Sequence, residues 1–539
     1  MPARITREVD TDNPYDLFPL PAYWTRAALV GLIALALGFH LWGISQDLPL
    51  VIGGDETMFM QPAIHIAATG NLNPGYFGHP GSTIIYPLAV ISRVWYAVHH
   101  HGPLLRPSLN LQDAFVSHPY GFYLLGRLLT IGFAMFSMLL VYLLGRRVFG
   151  STVALAGAWF FLLVPLAVTH ARTVRTDSAT VFFTLLSLWL CLRTYDRPTA
   201  GNQVLAGAAI GLAISTKYTL TVLVLFLFLI DGLLLWRQFQ MGRVGSILPG
   251  IGAGLLAVIG SFSISTPYFF LDFSKALKDV RVELRPTHLG ADGLSPLGNL
   301  IWYLTRAIPE TLSWPRALSA ASGVALVIWK RQPRPLLLAG FVALFLVGVS
   351  LSPLHWARWL LPIGPLLTLF VACALCVVVG HLSARFRIKR SGQWILLLSV
   401  LVLFSAYPLH ELVLTNIRQA NPSTQILARE WLLLHVPAGS RIAEEWYTAP
   451  LQQTSFDVLT ETSLSSRRSL VDYRHEGYDY LVVSSWMYSR YLAEPERYPV
   501  EVVFYHSLFE KGRLLQEFVP STFRGGPTIR IYALQDSDS

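Results

Sequence analysis

Two adjacent carboxylates, Asp55 and Glu56, follow Gly53 and Gly54 directly after the first long apolar run of the sequence. Carboxylates can take up a proton or orient a cation, and the glycines let the backbone turn tightly and approach other groups. Ionisable groups beside an apolar segment are costly and are usually functional. We therefore predict that Asp55 and Glu56 are catalytic. The alternative is a solvated loop turn in which Glu56 caps the following helix.

Basic side chains of later segments supply the opposite charge. Arginine can contact a phosphate through two parallel hydrogen bonds, whereas lysine acts as a point charge. Taken singly, each arginine could instead extend to lipid headgroups. Together with the two carboxylates they favour a site for an anionic headgroup. The basic residues are Arg172, Arg175, Lys217, His355 and Arg358, and Asp177 lies among them. The segment 267–297 is long enough to cover such a site and carries further basic side chains.

The composition decides what kind of protein must position these residues. Of the 539 residues, 53% are hydrophobic and only 14% are charged, well below the ~25% of soluble domains. The mean hydropathy is +0.48. A polytopic α-helical membrane protein is predicted, and disorder, a coiled coil and collagen are excluded. The net charge of +9 does not predict nucleic-acid binding, because the basic residues lie between apolar runs, where they set orientation.

A membrane-spanning helix needs about 20 apolar residues. The first run is expected to remain as an anchor, because no small-residue cleavage site follows it. We predict eleven spans, so the two ends of the chain should lie on opposite sides of the membrane. The spans are 24–44, 120–144, 152–169, 178–194, 201–216, 218–236, 246–266, 312–329, 335–352, 359–380 and 392–411.

The positive-inside rule tests this count, because a wrong number of crossings would scatter the basic clusters over both faces. Every second loop is basic, which predicts that the N-terminus is cytoplasmic. The predicted location is the plasma (inner) membrane. The segment 81–99 is also apolar, and we predict a helix along the outer interface there, since an additional span would send the later clusters outside. The basic residues assigned to the cytoplasmic face are Arg4, Arg7, Arg26, Arg146, Arg147, Arg193, Arg197, Arg237, Arg243, Lys330, Arg331, Arg334, Arg385, Arg387, Lys389 and Arg390.

These crossings divide the chain into three parts. Residues 1–23 are predicted to be a cytoplasmic segment, and residues 24–414 a transmembrane domain whose first outer loop covers 45–119. Residues 415–539 are predicted to form a small soluble α/β domain on the outer face, because the composition changes sharply there.

Local signals within this tail predict one helix and four strands. Asn421 and Pro422 resemble the N-cap and first residue of a helix over 423–435, which Pro437 ends. The β-rich stretches are predicted strands, and they cover 441–447, 478–486, 501–505 and 528–533.

Two features resemble metal sites. Cys373 and Cys376 have the spacing of a metal motif but lie in an apolar run, where helix packing is favoured. The run His99, His100 and His101 lacks nearby carboxylates or cysteines and is better explained as the end of an interfacial helix. No cofactor is predicted with certainty, and a divalent metal stays open.

Several short motifs occur in an order that resembles the GT-C membrane glycosyltransferases. The similar branch contains the protein O-mannosyltransferases and the bacterial aminoarabinose transferase, known as family 39 or RgtA/B/C/D-like. The order spans about residues 24–380. The matching segments are 55–56, 79–81, 126–128, 145–150, 171–177, 216–219 and 358–362. His79 stands where the family often has a basic residue followed by prolines.

The resemblance implies that a sugar moves from a polyprenyl-phosphate-linked donor to a hydroxyl of a glycan, lipid or protein acceptor on the outer face. Asp55 would be the general base of an inverting hexosyl or pentosyl transfer, and Glu56 would orient the acceptor or a cation. The donor phosphate would be bound by Arg172, Arg175, Lys217 and Arg358. The candidates for further substrate contacts are His79, Asp177 and His355.

Two other classes of protein stay open. Polytopic helices with buried charges also describe a transporter or a flippase for an anionic glycolipid, although no repeated halves are visible. A noncatalytic scaffold that displays the tail domain predicts that Asp55 does not cluster with Arg172 and Lys217.

Overall fold

A computed structural model describes residues 14–51 and 54–534 of the chain. The predicted cytoplasmic arginines Arg4 and Arg7, as well as Gly53, lie outside these residues. The described chain consists of a large helical part followed by a small domain with a five-stranded sheet. This architecture confirms the predicted fold class.

The helical part contains nineteen α-helices among the described residues. They are α1 Ala22–Leu41, α2 Gly54–Thr69, α3 Ser82–His99, α4 Asn110–Ser117, α5 Tyr120–Phe149, α6 Ser151–Leu162, α7 Pro165–Ala171, α8 Asp177–Asp196, α9 Ala200–Thr216, α10 Val222–Gln240, α11 Leu248–Ser265, α12 Tyr268–Leu271, α13 Phe273–Glu283, α14 Pro296–Trp302, α15 Ile308–Leu312, α16 Trp314–Lys330, α17 Pro333–Ser350, α18 Gly364–Arg385 and α19 Arg390–Ala420. Short 3₁₀ turns at Tyr218–Thr221 and Ala357–Leu360 precede α10 and α18.

Each of the eleven predicted spans overlaps one or two of these helices. Within the described residues, eight helices are long and apolar enough to cross a membrane, or nine if the bent pair α6 and α7 counts as one span. The other two predicted spans correspond to α9 and α16, which have 17 residues each. The predicted interfacial segment is the helix α3.

The span formed by α6 and α7 is bent by 67°. Pro165 begins α7 and cannot donate a backbone hydrogen bond to the preceding turn. The buried guanidinium of Arg316 satisfies carbonyls at this break, at 3.2 Å from Phe160 O and 3.1 Å from Leu163 O. The bend turns α7 so that the loop after Ala171 enters the region of the candidate site.

The C-terminal domain begins with α20, Thr424–His435, directly after α19. Its strands are β1 Arg441–Glu445, β2 Asp457–Glu461, β3 Tyr480–Ser484, β4 Arg513–Phe518 and β5 Ile529–Ala533, in the order β2-β1-β3-β5-β4. The first three strands are parallel, and β5 is antiparallel to β3 and β4. The remaining helices are α21 Leu470–His475, α22 Ser485–Ala493 and α23 Pro499–Lys511.

Two local predictions for this domain were wrong. Residues 501–505 lie in α23, because Phe504 and Leu508, one helical turn apart, bury their side chains together in the core and this packing overrides strand propensity. The N-cap of α20 is Ser423, whose hydroxyl accepts from Ile426 N, and not Asn421. Strands β2 and β4 were not predicted.

The sheet faces the helical part with the end at which β5 begins. Thr424 donates its hydroxyl to Pro527 O at 2.6 Å, and Asn421 donates to Phe523 O at 2.9 Å, so the loop before β5 lies on the junction of α19 and α20. Because β5 is antiparallel to β3 and β3 is parallel to β1, the carboxyl ends of β1 and β3 face the same way. The backbone N–H of Ser423 also donates to Asp47 at 3.3 Å.

Candidate active site

Asp55 lies in the first turn of α2, where the positive end of the helix dipole stabilises a carboxylate. Its Oδ2 is 2.9 Å from Arg175 Nη1 and 3.6 Å from Arg358 Nη1. The side chain is 52% exposed, so it remains accessible between the two arginines. The structure therefore brings together three residues that the sequence placed in one site.

Asp177 connects the same arginine to a histidine and a lysine. Arg175 Nε is 3.5 Å from Asp177 Oδ2, and His170 Nδ1 is 3.4 Å from that oxygen. Lys217 Nζ lies 3.4 Å from the other oxygen, Oδ1. Asp177 is almost fully buried at the start of α8, which makes it the anchor of the cluster and leaves it little room to contact a ligand.

The cluster carries more positive than negative charge. Arg175, Lys217 and Arg358 are three permanent cations beside two carboxylates. Lys217 and Arg358 keep about a fifth and a third of their side chains exposed, at 21% and 30%. The buried Nε of Arg358 has no hydrogen-bond partner among the described residues. These donors can therefore bind an additional anionic oxygen.

Glu56 has a different environment from its neighbour Asp55. Arg127 holds it through two hydrogen bonds, Nε to Oε1 at 3.0 Å and Nη2 to Oε2 at 2.7 Å. Val174 N also donates to Oε1 at 2.9 Å. Glu56 is therefore held in a buried ion pair with Arg127. Since Val174 precedes Arg175, the Val174 contact fixes the loop that carries Arg175, one of the predicted phosphate-binding residues.

Arg172 lies apart from the cation cluster. Its guanidinium donates to Trp42 O at 2.6 Å and to the side chain of Asn416, and only 5% of the residue is exposed. These contacts join the loop after α7 to the ends of α1 and α19. Arg172 is therefore not brought to Asp55 with the other predicted phosphate ligands.

The two predicted histidines lie in neighbouring loops. His79 Nε2 is 3.6 Å from Glu283 Oε2 at the end of α13. The backbone N–H of His355 donates to Ala291 O at 2.9 Å, and its ring lies 4.5 Å from the ring of Trp302. Both histidines contact the segment 267–297 or its continuation, and neither has an ion pair with Asp55 or Asp177 among the described contacts.

Sequence reasoning missed two residues that shape the site. Arg127 belongs to the matching segment 126–128, but its pairing with Glu56 depends on the packing of α5 against α2. His170 lies at the end of α7 and becomes a partner of Asp177 only because the span is bent. A histidine two residues before Arg172 was the signal available. Within the described part of the chain, no group of three or more His, Cys, Asp or Glu side chains is arranged to hold a metal.

Comparison with solved structures defines the class of fold. The AglB oligosaccharyltransferase of Archaeoglobus fulgidus, in complex with an inhibitory peptide and a dolichol-phosphate, has a TM-score of 0.52 at 12% identity, over 96% of this chain and 75% of that one. ArnT of Cupriavidus metallidurans, bound to undecaprenyl phosphate, has a TM-score of 0.52 at 14% identity, over 95% and 98%. The chain therefore is an integral membrane protein with a GT-C-like fold, as the resemblance implied.

Sequence comparison adds a more local similarity. Residues 124–264 match the family model described as dolichyl-phosphate-mannose-protein mannosyltransferase. Over 131 residues the chain is 30% identical to YkcB of Bacillus subtilis (strain 168), a proposed mannosyltransferase. That match covers 24% of this chain and 18% of YkcB. The family-model match at residues 124–264 contains Arg175, Asp177 and Lys217 of the candidate site and also Arg127.

Proposed function

We propose that this protein is an inverting glycosyltransferase that moves a sugar from a polyprenyl-phosphate-linked donor to a hydroxyl acceptor on the outer face of the membrane. The observation that carries the proposal is the half-exposed carboxylate of Asp55 between Arg175 and Arg358. The proposed proton acceptor, Asp55, then lies directly beside two proposed phosphate ligands, Arg175 and Arg358. The GT-C-like fold and the match to the mannosyltransferase family model support it.

Asp55 acts as the general base. A hydroxyl is a poor nucleophile, so a carboxylate within hydrogen-bond reach must take its proton while the oxygen attacks the anomeric carbon. One-step attack opposite the leaving phosphate inverts the anomeric configuration. Its exposed side chain gives an acceptor hydroxyl access. The adjacent arginines keep the carboxylate in place.

The cations act on the leaving group. As the bond between sugar and phosphate breaks, negative charge grows on the phosphate oxygens and needs fixed positive charge more than a proton donor. Arg358, Arg175 and Lys217 provide it from three separate helix ends or loops. Two similar structures support a lipid-phosphate ligand, because ArnT holds undecaprenyl phosphate and AglB a dolichol-phosphate.

The other predicted residues position this centre. Glu56 and Arg127 fix the loop that carries Arg175, and Arg172 ties that loop to α1 and α19. Asp177 orients Arg175 and Lys217. His79 and His355, at the border of the covering segment, are placed to contact the acceptor or the sugar. The acceptor is a glycan, lipid or protein hydroxyl, and the sugar is a hexose or pentose.

Reconstituted vesicles test the proposal with labelled polyprenyl-phosphate hexose and pentose donors. Wild type should consume a donor, and Asp55→Asn should lower the rate by about 10²- to 10⁴-fold. Asp113→Asn is the matched control, because Asp113 is exposed in α4 and makes no ion pair among the described contacts. Full activity of Asp55→Asn would remove Asp55 as the base. A solute that crosses the bilayer without donor consumption would favour a transporter or flippase.

Cysteine labelling of intact cells tests the proposed orientation in the plasma membrane. A membrane-impermeant maleimide should label Asp113→Cys in the first outer loop and Glu496→Cys in the C-terminal domain. Gln240→Cys, at the opposite end of α10, should react only after the cells are opened. The native cysteines are buried and should stay unlabelled. Labelling of Gln240→Cys in intact cells would reverse the topology.

A further inference from the structure

Two exposed tryptophans lie beyond the carboxyl ends of β1 and β3, at the end of the C-terminal sheet that faces the helical part. Trp446 directly follows β1, and Trp486 lies in the first turn of α22, directly after β3. They are 52% and 47% exposed. Large aromatic side chains at this level of exposure leave about half of their surface open to solvent, so a ligand that covers them gains contact area.

Trp486 belongs to a small cluster, here called the edge aromatic cluster, that consists of Tyr447, Trp486 and Arg490 and that Trp446 adjoins in sequence. The rings of Tyr447 and Trp486 are 5.7 Å apart at an interplanar angle of 74°. The guanidinium of Arg490 lies over the Tyr447 ring at 5.5 Å. Tyr447 is thus held between two neighbours, which gives the cluster a fixed shape with both an apolar face and hydrogen-bond donors.

The backbone of Tyr447 is strained. Its φ is +68°, a left-handed conformation that is uncommon for a bulky residue. The Thr448 hydroxyl donates to Glu445 O at 2.6 Å and closes the turn that holds this conformation. Strain of this kind persists where the surrounding structure enforces it, and it concentrates at functional sites. The turn therefore gives a second, independent reason to assign a function to this edge.

A continuous series of contacts joins the edge aromatic cluster to the candidate active site. A Cβ at Gly290 would lie 3.6 Å from the Arg490 side chain, so the loop after α13 packs on the cluster. Two residues earlier, the ring of His288 is 5.1 Å from that of Trp356. The guanidinium of Arg358, the partner of Asp55, lies over the Trp356 ring at 5.6 Å. The cluster is thus connected through this loop to Arg358, the partner of Asp55.

We propose that the edge aromatic cluster binds a sugar ring of a saccharide acceptor, an inference that rests on the proposed glycosyltransferase function. A pyranose presents a flat face of C–H bonds that packs on an aromatic ring, while its hydroxyls accept from a guanidinium such as that of Arg490. The acceptor would reach Asp55 with its reactive hydroxyl while a more distant ring is held at Trp486. An oligosaccharide, which has both parts, fits better than a single small alcohol.

Saturation-transfer NMR on the full chain in lipid nanodiscs tests this binding without requiring turnover. The probes are maltotriose and cellotriose. Saturation should reach the ring C–H protons of at least one of them, and Trp486→Ala should weaken its affinity about fivefold. Trp486→Phe keeps a ring and should retain most of the binding. Trp329→Ala is the matched control, because Trp329 is 77% exposed but lies at the end of α16.

The outcomes separate this inference from the proposed function, because donor consumption by wild type is measured on the same preparation. If the donor is consumed while neither trisaccharide binds, or while both bind equally well to Trp486→Ala and wild type, the saccharide inference is wrong and the proposed function stands. If no donor is consumed, the proposed function is wrong. Binding of a threonine-containing peptide that depends on Trp486, without saccharide binding, would overturn the saccharide in favour of a peptide acceptor.

Discussion

Two neighbouring carboxylates pair with arginines in different surroundings. The half-exposed site of Asp55, Arg175 and Arg358 is here called the mouth, and the buried site of Glu56, Arg127 and Val174 N is called the socket. In the socket, Arg127 and Val174 N occupy both oxygens of Glu56, and both charged side chains are less than a tenth exposed. In the mouth, Asp55 has single contacts with Arg175 and Arg358 and is 52% exposed. Two consecutive residues of one helix thus separate into a structural and a chemical carboxylate.

The difference follows from burial. A buried carboxylate must have its hydrogen-bonding capacity filled by the protein, because water cannot reach it. A catalytic base must instead keep a lone pair free for the substrate. The contact of Glu56 with Val174 N therefore positions the next residue, Arg175, which binds Asp55.

The largest effect is expected when the socket loses its cation. Arg127→Met leaves Glu56 buried without its partner, and removal of one member of a buried pair lowers the free energy of unfolding by about 3 to 5 kcal/mol. Thermal unfolding of the purified protein in detergent should show this as a marked loss of thermostability. Arg358→Met is the matched control in the mouth, where a partly exposed pair contributes about 0 to 1 kcal/mol. Equal losses in both variants would contradict the distinction.

A third carboxylate, Glu444 on β1, extends the comparison because it is buried without a cation. Burial raises its pKa to about 7, although the Thr460 and Thr448 hydroxyls act in the opposite direction. Since the folded pKa lies above that of the unfolded chain, the domain should lose stability as the pH rises from about 4.5 to 7, by about 3 kcal/mol at most for this group.

Glu444→Gln should remove the part of this dependence that is due to Glu444, because an amide cannot ionise and both threonine hydroxyls can accept as well as donate. The part due to the adjacent Glu445, whose pKa burial also raises to about 7, should remain. Hydrogen exchange of the amides of residues 441–445, corrected for its intrinsic pH dependence, should then slow at pH 8 and change little at pH 5. Glu430→Gln, at an exposed position of α20, serves as the control. Faster exchange in Glu444→Gln at pH 8 would show that the charged form stabilises the domain.

A smaller effect is expected for catalysis when the mouth loses one cation. Arg358→Met removes a hydrogen bond to a charged oxygen, which is worth about 2 kcal/mol, or roughly 30-fold in kcat/KM for the lipid-linked donor. Arg358→Lys should recover part of the loss, because the charge remains without the planar pair of donors. Initial rates of donor consumption at several donor concentrations measure this. A normal kcat/KM in Arg358→Met would exclude Arg358 from phosphate binding.

Much of the site could be predicted because membrane topology restricts where residues can lie. Asp55, Arg175, Lys217 and Arg358 all follow or precede apolar runs on the same predicted face, and the structure brings them together. Which of two adjacent carboxylates is buried could not be predicted. That outcome depends on Arg127 of α5 and on a backbone N–H of the loop after α7, and both are tertiary contacts.

The errors have the same cause, because the deciding contacts come from distant parts of the chain. Arg172 has the same sequence context as Arg175, but its partners Trp42 and Asn416 lie at the ends of two helices distant in the chain. In the C-terminal domain, the stretch 501–505 contains residues with high strand propensity, yet it packs as part of a helix after Pro499. Short-range patterns identify residue types suited to a site or strand, whereas the partners that decide between alternatives come from elsewhere in the chain.

The most direct test compares Asp55→Asn with Glu56→Gln in the same vesicles, with folded protein and donor turnover measured for each. We expect Asp55→Asn to be recovered folded at wild-type levels and to lose almost all turnover per folded molecule. Glu56→Gln should be recovered in much smaller amounts, and its folded fraction should retain more turnover than Asp55→Asn. If Asp55→Asn turns over the donor at the wild-type rate, Asp55 is not the base and the account of the site is wrong.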